Sequence, residues 1–235
     1  MNVVSIMAHP DDEMRCLGTM LKCRARGDAL WFISVTDGSK GFVQQPDLPR
    51  EKAAAIRHAE MSALAGAAGG EALLLGEPDE FLYDTPETRM KLIDAIRQTR
   101  ADLVFTHYSE DYNLDHTTVS SLVRHCAMQA CLPVLPTAAA PLAQMPAIFM
   151  VEPHGTFAFP ASHYVDISLV FERKAEMLPL HRSQEEALQA AFHCGLREMC
   201  APLDRYRGSL VGCEYAESFV PMPARGANKP YGVLP

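Results

Sequence analysis

The segment NVVSIMAHPDDE, residues 2–13, carries the clearest indication of the fold class. Residues 2–8 form a compact apolar run rich in Val and Ile, which is typical of a buried strand. Polar residues follow at once, and a helical pattern then covers residues 13–26. A short apolar strand that passes directly into a helix begins a strand–helix–strand unit, so the stretch indicates an α/β fold.

The same alternation continues along the chain. Further strands are predicted over residues 30–36, 73–75, 102–106, 147–151 and 164–167, and further helices over residues 50–65, 88–100, 117–130, 170–179 and 184–199. Strands that alternate with helices form a parallel sheet, because each crossover helix returns the chain to the same edge. We expect a Rossmann-like, three-layer domain with a mainly parallel sheet in the strand order 3-2-1-4-5.

Length and composition fit one domain. With 235 residues and 48% hydrophobic content, the chain can bury one sizeable core but is short for two enzymatic domains. We therefore expect a single domain over residues 1–235. Its tail, residues 221–235, is rich in Pro and Gly and is predicted to run extended over the surface.

The charge balance restricts the partners and the location. The formal net charge is -8, and the 21 Lys and Arg residues form no basic run, which argues against nucleic acid and membrane insertion. The N-terminal segment has the pattern of neither a secretory signal nor a membrane span. Seven cysteines without paired spacing are typical of reduced thiols, so we expect a cytoplasmic protein. A homo-oligomer is compatible with the sequence, which leaves the oligomeric state open.

Two polar loops stand at the ends of predicted strands. HPDDE, residues 9–13, follows the first strand, and HYSEDYNLDH, residues 107–116, follows the strand at 102–106. In an open parallel sheet, ligands bind beyond the carboxyl ends of the strands, where neighbouring connections diverge to opposite faces. If strands one and four are adjacent, these two loops face each other across that crevice.

The residue types in these loops suit a metal ion. Two histidines and an aspartate are a good ligand set for Zn²⁺ and leave a fourth position for water. Water held there has its pKa lowered toward ~7, and a remaining carboxylate can act as general base. Asp11 and Asp12 point in different directions from a loop, so one can bind metal while the other faces the water. The alternative is structural, because Asp12 and Glu13 could cap the following helix.

These motifs also resemble a known family. AHPDDE, VTDGSKG and the later DH pair are similar to motifs of the LmbE-like or PIG-L deacetylases, which hydrolyse N-acetylglucosamine units in glycolipids, low-molecular-weight thiol precursors and antibiotics. Matching segments include REKAAAIRHAE, PDEFLYDT, YVDIS, HRSQ and RGSLVGCEYAESF. The resemblance therefore covers most of the 235 residues.

The resemblance implies roles for individual residues. His9, Asp12 and His116 would be the zinc ligands, and Asp11 would be the general base. Asp115 would orient a histidine of the site, as carboxylates beside metal ligands commonly do.

One position departs from the family pattern. Many members carry HPDH, whose first histidine stabilises the oxyanion or protonates the leaving amine. In this chain Asn113 occupies the position of that histidine. An asparagine can donate a hydrogen bond to an oxyanion, but it cannot deliver a proton. His154, in EPHG, is the first candidate to replace it; His107, which would also contact the substrate, is the second. The alternative for each is a hydrogen-bonded structural histidine. Arg57 resembles a family arginine that contacts the substrate, and its alternative is a solvated helix face.

The sequence thus predicts a zinc-dependent hydrolase that removes an N-acyl group, expected to be N-acetyl, from an amino sugar or a sugar-containing small molecule. Another divalent metal such as Fe²⁺ could fill the same site. The alternatives are a metal-dependent hydratase or lyase on the same scaffold and a sugar-binding protein that retains the metal without turnover. The intact AHPDDE favours hydrolysis, since base and ligands are all present. We expect specificity to lie in loops 42–49, 77–86 and 132–146.

Overall fold

The computed structural model describes residues 1–155 and 157–224, in which seven strands form one sheet in the order β3-β2-β1-β4-β5-β7-β6. The strands are β1 (Asn2–Met7), β2 (Ala29–Thr36), β3 (Glu71–Glu77), β4 (Leu103–His107), β5 (Ala147–Val151), β6 (His163–Asp166) and β7 (Ala216–Pro221). Strands β1 to β5 are parallel, and β7 is antiparallel to both β5 and β6. The predicted order 3-2-1-4-5 is confirmed and extended by two strands.

Helices cover both faces of the sheet. They are α1 (Leu17–Ala25), α2 (Arg50–Ala67), α3 (Pro86–Gln98), α4 (Leu114–Gln129), α5 (Phe171–Met177), α6 (Arg182–Phe192) and α7 (Leu196–Val211). Along β1, Val3 and Met7 belong to one core cluster, and Val4 and Ile6 belong to the other, because successive side chains of a strand point to opposite faces. The first cluster includes residues of α1, α2, α5 and α7, and the second those of α3 and α4. The three predicted layers are therefore confirmed.

The C-terminal third differs from the sequence prediction. The predicted helix 184–199 is two helices, because His193 adopts a left-handed conformation with φ 55° that ends α6, and Gly195 begins α7. The chain then adds β7, which the sequence analysis missed. Pro221 is the last residue of β7, and residues 225–235 of the predicted surface tail lie outside the described residues.

Two further observations concern the whole described chain. Over residues 1–155 and 157–224, none of the helices combines the length and the apolar character that crossing a membrane requires. The seven cysteines, all within these ranges, are free thiols, as predicted.

Candidate active site

The two polar loops meet at the carboxyl edge of the sheet. Strands β1 and β4 are direct neighbours, with Ile6 paired to Thr106, so the segments that follow them leave the sheet side by side. A cavity of about 660 Å³ opens there. The predicted site residues on its wall are His9, Asp11, Asp12, Arg57, Asn113, His116 and His154.

Three side chains on this wall bring ligand atoms together. His9 Nδ1 lies 3.2 Å from His116 Nε2 and 3.3 Å from Asp12 Oδ2, and His116 Nε2 lies 3.4 Å from Asp12 Oδ1. Tetrahedral coordination with bonds of about 2.0–2.1 Å needs ligand atoms about 3.3–3.4 Å apart. The donor set and its spacing therefore fit a divalent metal such as Zn²⁺.

Two other groups of His and Asp atoms in the described chain are close enough to hold an ion. They are His107, Asp111 and His116, and His9, Asp79 and Asp115. Of the three groups, only His9, Asp12 and His116 all line the cavity, where a substrate and a water can reach the metal. That group is the candidate metal centre.

Carboxylates stand behind both histidines. His9 Nε2 lies 3.1 Å from Asp79 and 3.4 Å from Asp115, and His116 Nδ1 donates to Asp111 at 3.0 Å. Asp115 also accepts the backbone amides of Glu80 and Leu82, which anchors the β3–α3 loop to the site. A carboxylate on the second ring nitrogen fixes the tautomer and orientation of a metal-binding histidine. Asp115 thus lies beside the second ring nitrogen of His9.

These carboxylates control the charges of the two histidines. Burial lowers the pKa of His9, but carboxylates led by Asp115 and Asp12 outweigh burial and hold it well above its usual value. Burial also opposes the charge on His116, while Asp12 and Asp111 raise its pKa to about 9. A divalent cation can supply this positive charge in place of the protons, which are then released.

Asp11 projects into the cavity from a strained backbone. Its φ is 110°, a region that only Gly, Asn and Asp adopt with any ease. Burial raises the pKa of its carboxyl to about 6, although Arg57 opposes the shift. A buried carboxylate that exchanges a proton near neutral pH is suited to act as a general base.

Arg57 supports this loop from behind. It is 2% exposed, donates to the Pro10 carbonyl and has its Nη2 3.4 Å from Asp11 Oδ1. The solvated helix face considered from the sequence is therefore excluded. Its position on the cavity wall allows contact with substrate. Its described polar contacts are with the loop, with Ser183 of α6 and with Glu60 of α2.

A buried pair holds the backbone of Asp11. Glu13 accepts the Asp11 amide at 3.0 Å through Oε2, and its Oε1 bonds to His181 Nε2 at 2.5 Å. Both side chains are fully buried. Glu13 therefore positions Asp11 and leaves no free oxygen to face the cavity. His181 is the first residue of HRSQ, so that segment reaches the site through Glu13.

Two hydrogen-bond donors face the cavity beside the metal centre. Asn113 caps α4, and its Oδ1 accepts the amides of Asp115 and His116, which leaves Nδ2 free to donate. His154 Nδ1 bonds to Arg15 Nη2 at 2.6 Å, so its proton is on Nε2. Burial, followed by the charge of Arg15, lowers the pKa of His154 to about 3. The ring is neutral at physiological pH and can donate a hydrogen bond, but it cannot serve as a general acid there.

His107 lies behind the metal centre. Its Nε2 accepts the Ala8 amide at 2.9 Å, and its ring stacks on His116 with centroids 4.0 Å apart. Burial lowers its pKa to about 4. Among the described residues it is not part of the cavity wall, so the geometry favours a role in orienting His116 over contact with substrate.

Several functional candidates were missed by the sequence analysis. Asp79 lies in PDEFLYDT and Asp111 in SEDYN. Both segments belong to the predicted motifs, but the sequence analysis assigned no role to these two carboxylates. Arg15 carried no signal, because a basic residue early in a helical pattern is ordinary. Its partner comes from a segment 139 positions away.

Solved structures of other proteins have the same architecture as this chain. A conserved protein of Thermus thermophilus is 28% identical, with 99% of each chain covered and a TM-score of 0.80. The N,N'-diacetylchitobiose deacetylase of Pyrococcus horikoshii is 24% identical over 94% of this chain and 83% of the other, with a TM-score of 0.81. The 4-carboxy-2-hydroxymuconate hydratase of Pseudomonas putida is 19% identical over 98% of this chain and 100% of the other, with a TM-score of 0.82.

The last two structures share the fold with this chain. The family comparison is more specific, because the model described as PIG-L, GlcNAc-PI de-N-acetylase, matches residues 4–127. This match spans more than half of the chain and contains both polar loops and all three candidate ligands. The chain belongs to the PIG-L family.

Proposed function

We propose that the protein is a metal-dependent hydrolase that cleaves the N-acyl amide of an amino sugar or a sugar-containing small molecule. The observation that carries the proposal is the group His9, Asp12 and His116 with the carboxylate of Asp11 beside it, all on the wall of one cavity. The family model, described as a de-N-acetylase, and a deacetylase of the same fold support it.

Each residue of the site has a separate role in the proposed reaction. A bound divalent metal would supply a water of lowered pKa, near ~7, and positive charge beside the acyl oxygen. Asp11 takes the proton from the attacking water, because it is the wall carboxylate whose pKa is raised toward neutrality. Asn113 Nδ2 and His154 Nε2 donate hydrogen bonds toward the oxygen that becomes negative.

The leaving amine needs a proton. Neither Asn113 nor neutral His154 can give one, so protonated Asp11 returns to the amine the proton that it took from water. A pKa of about 6 allows one carboxyl to act first as base and then as acid near neutral pH.

The test is metal analysis of the purified protein followed by measurement of amine released from a series of N-acyl amino sugars. We expect about one divalent metal per chain and amine release that stops when a chelator removes the metal. Absence of amine release from the metal-loaded protein, together with hydration of an unsaturated dicarboxylic acid, would assign hydratase chemistry to the site and refute the proposal.

A further inference from the structure

The cavity is lined by polar and by apolar residues. The polar lining includes the candidate metal centre together with Lys40, Glu80, Asn113 and Gln184. The apolar lining includes Met14, Leu188, Phe192, Leu196 and Met199. We call these five residues the apolar wall.

Four residues of the apolar wall lie on the two helices that flank the break between α6 and α7. Gln184, Leu188 and Phe192 follow one another at intervals of four, so they share one face of α6. Gln184 donates to the Gly41 carbonyl at the polar end of that face. Helix α6 contains no buried residue, and Phe192 is 69% exposed. Its apolar face therefore borders the cavity instead of packing fully into the core.

The wall begins close to the metal centre. Met14 lies two residues after the candidate ligand Asp12 in the same short 3₁₀ helix, Asp12–Arg15, and both line the cavity. An acyl chain starts at the carbon that reacts beside the metal, whereas an aglycone starts several atoms away, beyond the sugar ring. The hydroxyl groups of the sugar match the polar lining, which leaves the apolar wall to the acyl group.

An acetyl group is too small to cover this surface. The cavity of about 660 Å³ lies within the range of about 300–1,000 Å³ that is typical of sites for small organic ligands. A single methyl group would leave Leu188 and Phe192 in contact with water, and contiguous exposed apolar surface usually marks a binding site.

We propose that the apolar wall binds the acyl chain of the substrate, and that the substrate is an amino sugar whose N-acyl chain is longer than acetyl. This inference rests on the proposed function and specifies its substrate class. Each buried methylene is expected to raise kcat/KM about two- to fourfold.

The experiment compares N-acetyl-, N-butanoyl-, N-hexanoyl- and N-octanoylglucosamine as substrates of the metal-loaded full chain. It also includes octyl N-acetylglucosaminide, which carries its alkyl chain on the aglycone. We expect kcat/KM to rise along the series by at least tenfold in total. In Leu188→Ser and Phe192→Ala the rise with chain length should be several-fold smaller than in the parent protein. Leu210→Ser is the matched control, because Leu210 is a half-exposed leucine of α7 and is not part of the described wall.

The outcomes separate the inference from the function on which it rests. Equal or falling kcat/KM with chain length, alongside hydrolysis of N-acetylglucosamine, would overturn the inference and leave the hydrolase intact. A gain confined to octyl N-acetylglucosaminide would assign the apolar wall to an aglycone and also overturn it. Release of amine from no compound at any chain length would refute the proposed function itself.

Discussion

Replacing Asp11 by Asn tests the assignment of the general base. The change removes the charge and the proton-accepting oxygen but keeps the size of the side chain. Asn tolerates positive φ as Asp does, so the backbone at φ 110° and the amide bond to Glu13 should persist. Because burial disfavours the charged form of Asp11, the metal-free variant should be no less stable than the parent protein.

The expected kinetic loss follows from the role. Loss of a positioned general base costs about 10²- to 10⁴-fold, or about 3–5 kcal/mol of transition-state stabilisation at about 1.4 kcal/mol per tenfold. The loss should fall on kcat, because Asp11 acts on the water and is not needed to hold the sugar. Metal content should be unchanged, since Asp11 is outside the ligand group.

The assay is amine release at saturating substrate, with metal content and thermal unfolding measured on the same preparations. Asp47→Asn makes the same chemical change at an exposed loop position and should leave kcat within twofold. Asp11 accepts a proton only when ionised, so kcat/KM of the parent should fall as pH drops through about 6, or lower once a cation favours the carboxylate. Activity of Asp11→Asn within tenfold of the parent, at full metal content, would refute the assignment and direct attention to Glu80 on the cavity wall.

Three further variants test the rest of the site. His116→Ala should lose the metal on dialysis while its circular dichroism stays native; full metal retention would exclude it as a ligand. His154→Ala should lower kcat by about tenfold or more through loss of one oxyanion donor. The pH–rate profile should keep its shape, because a group with a pKa of about 3 does not titrate near neutrality. Loss of an inflection near pH 7 in this variant would contradict the assignment. Glu13→Gln breaks a buried pair with His181 and should lower the free energy of unfolding in urea by about 3 kcal/mol; an unchanged urea midpoint would show that the pair contributes little.

The three loops that were predicted to determine specificity differ in their positions relative to the cavity. Of the three predicted loops, 77–86 supplies Asp79 and Glu80 to the cavity wall. The segment 132–146 instead receives hydrogen bonds from Arg97 of α3, and loop 42–49 contributes no residue to the described wall. Four of the five residues of the apolar wall come from α6 and α7, and the break between these two helices was not predicted from the sequence.

Residue order alone was enough to predict the sheet from β1 to β5 and the meeting of the two polar loops at its carboxyl edge. Both depend on local patterns: apolar strands that alternate with helices, and polar loops at strand ends, which parallel pairing must bring to one edge. The partners of the site residues, in contrast, depend on contacts between segments that are distant in the sequence. Burial and the adjacent Arg15 lower the pKa of His154, and Glu13 holds the Asp11 amide with one oxygen while His181 bonds to the other. Such charges and orientations depend on burial and on contacts between distant segments, and residue order alone does not specify either.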